Sequence, residues 1–112
     1  MLLVPGMEHC WGCAEGTAAP WSMGGATQAG AMGMGEWSVP GYRDREQDML
    51  RALMAWVEGT GGPVDGVVAT AWKERWNKTS GVARQRVVCA WPGEARWDGV
   101  GREEEAGSWG CV

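Results

Sequence analysis

The chain has 112 residues, a formal net charge of −4 and a pI near 4.9. Its length suits one small domain. Leu, Ile, Val and Phe supply only 15 residues, about 13%, below the roughly 20% under which disorder is the first expectation. The acidity argues against nucleic acid as a partner, because domains that bind it are usually basic.

Nine Trp and seven Met raise the apolar total, but Trp is hard to bury completely and Met specifies packing poorly. The 19 Gly each lose more backbone freedom on folding than any other residue. Residues with AT-rich codons are scarce and those with GC-rich codons abundant, a profile that nucleotide bias alone produces. Composition thus predicts a mostly irregular chain of low order. It also suggests the product of a small open reading frame in G-rich DNA, with no identifiable activity and no enzymatic role.

Residues 1–42 hold nine Gly and three Pro. They read as a Gly-rich irregular arm that is close to low complexity around 24–35. The apolar run at 1–4 is too short for a signal segment. No stretch approaches the roughly 20 apolar residues of a membrane span. Cytoplasmic or nuclear residence is the default expectation.

Residues 43–81 carry the clearest pattern. Asp44 is an expected N-cap with Gln47 three residues on. On a helical wheel Met49, Leu50, Leu53, Met54, Trp56 and Val57 fall within an arc of roughly 160°. Gly59 is the expected stop, followed by Gly61, Gly62 and Pro63. Val64, Val67, Val68, Ala71, Trp72 and Trp76 share one face of a second expected helix, capped by Asp65 and ended by Gly81. The predicted fold is therefore an antiparallel helical hairpin over about 44–80, without a complete core. The run 87–91 reads as a short strand with no evident partner, and 93–112 as an acidic, Gly-rich, solvated tail.

Motifs that carry chemistry are sparse. Cys10 and Cys13 form a C-x-x-C that is the candidate for metal or thiol chemistry. No strand precedes it, and completing a four-cysteine zinc site would need the distant Cys89 and Cys111. No metal and no cofactor is expected on this basis. The segment 73–86 concentrates Lys73, Arg75, Lys78, Arg84 and Arg86 near Trp72, Trp76 and Trp91, a combination suited to RNA or to an anionic lipid surface. The plainer reading is a solvated helix end favoured by the helix dipole. Asn77-Lys78-Thr79 fits the N-glycosylation pattern, which without a signal segment is not expected to be used. The single His9 has no Ser or Cys tied to it by local pattern.

Of defined functions, the sequence ranks a small protein-interaction module first. Met49, Leu50, Leu53, Trp56 and Val57 would face a partner groove or a second copy of the chain.

Overall fold

A computed structural model of the chain describes residues 1–4, 23, 44–74 and 77–112. Its elements are one α-helix, α1 (Met49–Val57), and four strands, β1 (Gly66–Glu74), β2 (Asn77–Cys89), β3 (Ala95–Trp97) and β4 (Trp109–Cys111). A 3-10 turn at Ala106–Ser108 leads into β4.

The helix begins one turn later than the sequence suggested. Asp48, in extended conformation, is the N-cap, and its Oδ1 accepts from the N–H groups of Leu50 (2.9 Å) and Arg51 (3.1 Å). Two of the donors that every helix start leaves unpaired are satisfied this way. Asp44 instead closes the preceding turn, accepting from Glu46 N–H on its side chain and from Gln47 N–H on its carbonyl. The stop is as the glycine pattern implies. Gly59 takes a left-handed φ of 69°, the N–H groups of Thr60 and Gly61 return to Ala55 O, and the Arg45 guanidinium donates to Gly62 O at 2.6 Å.

The helical hairpin is not formed. The segment assigned to the second helix is β1, paired antiparallel with β2 in the register Val67↔Val88, Val68↔Val87, Ala69↔Arg86, Thr70↔Gln85 and Ala71↔Arg84. Residues 66–72 (GVVATAW) satisfy a two-residue alternation as well as a helical face. The β-branched Val67, Val68 and Thr70 favour the strand. The partner that seemed missing for the run 87–91 is this strand, and β2 extends that run back to Asn77. The register slips between Ala71 and Trp72, close to Gly81, whose φ of 87° suits a residue without a side chain.

The expected shortage of core is answered with small side chains. Val67, Ala69 and Val88 of the sheet pack with Ala52 of α1 and Met23, and Leu2, Val4, Met49 and Val64 lie partly buried against them. β1 is covered on both faces, with Ala69 and Thr70 fully buried and Ala71 and Trp72 nearly so. Thr70 Oγ1 accepts from the cross-strand Gln85 amide at 3.0 Å, which keeps this buried hydroxyl satisfied. Outside the ladder, Val68 N–H donates to Glu46 O and Gln85 N–H to Glu104 O. At the chain start, Leu2 bridges Ala90, and Trp91 N–H donates to Met1 O at 2.7 Å.

The segment expected as a solvated tail also folds back. β3 pairs antiparallel with β4 in the register Ala95↔Cys111, Arg96↔Gly110 and Trp97↔Trp109. A disulfide between Cys89 and Cys111 ties the end of β2 to the end of β4. The irregular, low-order chain predicted from composition is thus replaced, over the described residues, by two small antiparallel sheets and one helix.

Candidate functional site

A well-defined cluster of aromatic and charged side chains lies where β2 meets β3 and β4. Trp97 and Trp109 are cross-strand partners, so their rings leave the same face of the two-stranded sheet. Each indole N–H ties down the intervening loop, Trp97 Nε1 to Gly101 O at 2.9 Å and Trp109 Nε1 to Glu103 O at 3.1 Å. Asp98 shapes the start of that loop, its Oδ1 accepting from the N–H groups of Val100 (2.9 Å) and Gly101 (2.8 Å). Those two backbone donors hold its carboxyl below the usual carboxylate range.

Arg86 reaches across from β2, its guanidinium carbon 3.7 Å from the Trp109 ring centroid. A groove of about 370 Å³ runs beside this pair, lined chiefly by Leu3, Val87, Trp91, Glu94 and Trp109. Gly66 permits the closest approach nearby. A Cβ there would stand 2.6 Å from Val87 Cγ2 and 3.1 Å from Cys111 Sγ.

The basic segment does not form one helix end. Lys73, Arg84 and Arg86 are distributed over the β1–β2 hairpin, and Arg86 is engaged with Trp109. Arg75 and Trp76 lie outside the described residues, as does the side chain of Lys78. Cys10, Cys13 and His9 also lie outside them. Among the described residues no group of three His, Cys, Asp or Glu side chains could hold a metal ion. No helix among them is long and apolar enough to cross a membrane.

Four of the five residues expected to face a partner are exposed. Leu50, Leu53, Trp56 and Val57 are exposed on α1, while Met49 turns partly into the core. The disulfide and the Trp97–Trp109 pair escaped the sequence reading. Both join positions far apart in the sequence, 22 for the cysteines, which no local pattern connects.

No nucleophile and base are brought together among the described residues. They include no histidine, Ser80 is engaged in the β1–β2 turn with Asn77 O and Glu74 N–H, and Ser108 is buried.

Comparison with known proteins gives the family of the chain. The profile of the tannase and feruloyl esterase family matches residues 1–112, and the chain belongs to that family. It is similar to an uncharacterized esterase of Xanthomonas campestris pv. campestris, 32% identical over 112 residues. The alignment covers 100% of the chain and 17% of that protein, so the chain spans about one sixth of its relative's length. This family, with the fold, overturns two readings of the sequence. Its family is one of ester hydrolases rather than of non-enzymes, and its described residues are rich in β-strand rather than helix-based and disordered.

Proposed function

We propose that this chain forms part of an ester hydrolase that cleaves esters of aromatic carboxylic acids, as the family's description, tannase and feruloyl esterase, suggests. The match of the family profile over residues 1–112 carries this reading. Ester hydrolysis near neutral pH needs an activated nucleophile, a base within hydrogen-bond reach and donors for the developing oxyanion. Histidine is the side chain whose ordinary pKa suits the base, and the sequence contains one, His9.

His9 is therefore assigned as the base. It takes the proton of an attacking hydroxyl and returns it to the departing alcohol. The nucleophile and oxyanion donors are assigned to the part of the family fold that this chain does not span. Residues 44–112 supply a disulfide-closed support.

The test is a chimera in which the chain replaces the matching 17% of the Xanthomonas esterase. Hydrolysis of methyl ferulate or methyl gallate is expected, with His9→Ala lowering kcat roughly 10²–10⁴-fold. A folded chimera inactive on both esters overturns the reading. Full activity of the His9→Ala chimera removes the role given to His9.

A further inference from the structure

The motif Asn77-Lys78-Thr79 plays no part in the proposed ester chemistry, and Asn77 is the only asparagine of the chain. It opens β2, opposite Glu74 at one end of the β1–β2 ribbon, while Gly66 and Cys89 pair at the other end. β1 runs from Gly66 to Glu74, so the two ends stand roughly 25 Å apart at the usual strand rise. Asn77 is half-buried, and Lys73, Glu74 and Thr79 around it are exposed.

The hydrogen bonds of this corner converge on the Asn77 amide. Its Oδ1 accepts from Thr79 N–H at 3.0 Å and from the Thr79 hydroxyl at 2.6 Å, and its Nδ2 donates to Glu74 Oε2 at 2.8 Å. An Asx turn needs only the backbone donor. The hydroxyl contact is the additional feature, and it comes from the residue that the acceptor pattern requires. Amide nitrogen is a poor nucleophile because its electron pair is delocalised into the carbonyl. Donors on the oxygen and a carboxylate on the nitrogen polarise the group in one sense and make its N–H a better proton donor. The amide carries two N–H bonds, so the Glu74 contact leaves a second one for transfer.

The expectation that the motif goes unused rested on compartment, and the disulfide alters it. Structural disulfides form and persist in oxidising compartments and are rare in the cytosol. The Cys89–Cys111 link ties the ends of β2 and β4 together and argues for folding on the oxidising side, where asparagine-linked sugars are added. We propose that Asn77 is an N-glycosylation site. Its Nδ2 bonds to C1 of the first sugar of a polyisoprenyl-diphosphate-linked oligosaccharide. The bond from C1 to the diphosphate oxygen breaks, the lipid diphosphate leaves with that electron pair, and one amide proton passes to a base of the transferring enzyme. The glycan then stands at the ribbon end away from the disulfide.

The test expresses the 112-residue chain in yeast behind a cleavable secretion leader and, separately, in the yeast cytosol. The secreted chain is expected to carry a mass excess that peptide N-glycosidase removes, converting Asn77 to aspartate. Asn77→Gln and Thr79→Ala should abolish the excess, and Thr79→Ser, which keeps the hydroxyl, should retain it. Mass is read on cell-retained as well as exported chain, so a variant that fails to fold is still scored. An unmodified wild-type chain, or an excess that survives in Asn77→Gln or Thr79→Ala, overturns the proposal. The Cys89–Cys111 bond, mapped in non-reducing digests, is expected in the secreted chain and absent from the cytosolic one. After removal of the glycan, the secreted chain should unfold at the higher urea concentration. Free cysteines in the secreted chain, or equal stability of the two, take away the compartment argument and overturn the proposal as well.

Discussion

The guanidinium carbon of Arg86 lies over Trp109, 3.7 Å from the ring centroid, and joins β2 to β4 through a cation and an indole face. Planar guanidinium stacks on an aromatic ring better than an ammonium does, and a half-buried pair of this kind is worth about 1 kcal/mol. Arg86 Nε is buried and has no hydrogen-bond acceptor among the described residues, so part of that gain is offset. Arg86→Ala is expected to lower stability by about 1 kcal/mol, and Arg86→Met, which keeps the packed stem, by less. Urea unfolding midpoints of the two variants check this; equal losses would show that the stem contributes nothing.

The link between Cys89 and Cys111 closes a loop with a sequence separation of 22. Cross-linking over that span restricts the unfolded chain by about 3 kcal/mol. Cys111→Ser, or reduction before unfolding, should therefore shift the urea midpoint by that order. The β3–β4 amides should exchange with solvent before those of β1 and β2. A reduced chain as stable as the oxidised one would remove the disulfide's structural role.

Gly66 stands opposite Cys89 at the end of the hairpin, and a methyl group there would come within 2.6 Å of Val87 Cγ2 and 3.1 Å of Val88 O. The backbone oxygen cannot give way as a flexible side chain would. Gly66→Ala is expected to cost about 1–3 kcal/mol. Val87→Ala should recover part of that loss in the double variant, because the two positions share one contact. Additive losses in a thermal-melt cycle would deny the coupling.

Asp98 gives a pH dependence with a definite sign. Its carboxyl is held below its ordinary value by the backbone donors Val100 and Gly101. The charged form therefore favours the folded turn, an effect present above the unfolded pKa and lost as pH falls through the folded one. The amide resonances of Val100 and Gly101 should move together in acid, with a midpoint below that of an unstructured aspartate. A midpoint at or above the unstructured value would contradict the hydrogen bonds.

Asp48→Ala removes the acceptor for Leu50 and Arg51 N–H at the start of α1 and should lower stability by about 1 kcal/mol. Asp44→Ala, removing only the turn contact to Glu46 N–H, should cost less. Thermal melts followed by far-ultraviolet circular dichroism rank the two. The opposite ranking would restore Asp44 as the cap.

The boundary of α1 was legible because Gly59 and Pro63 stop a helix whatever surrounds it, and its apolar stripe survives as the face on display. Residues 66–72 were not legible by periodicity, since Val67, Val68, Ala71 and Trp72 fit both a helical arc and a strand. Only pairing with 82–89 decides between them, and that pairing is non-local. The composition argument failed for a related reason. It counted large aliphatic side chains, whereas the core here uses Val67, Ala69, Val88 and Ala52, small residues that fit between closely spaced elements. The disulfide had no local signature, since its cysteines meet only after β3 and β4 pair.

The hydrogen bonds from Val68 to Glu46 O and from Gln85 to Glu104 O occupy opposite outer borders of the β1–β2 ribbon. A two-stranded ribbon normally leaves both rows of outward amides open to recruit a further strand from another molecule. Here a passing segment of the chain's own backbone meets each row near its middle, at 2.8 Å for Val68 and 2.7 Å for Gln85. The consequence is resistance to intermolecular strand addition. A variant that displaces the 102–105 loop should form thioflavin-positive aggregates faster than one that only weakens the core.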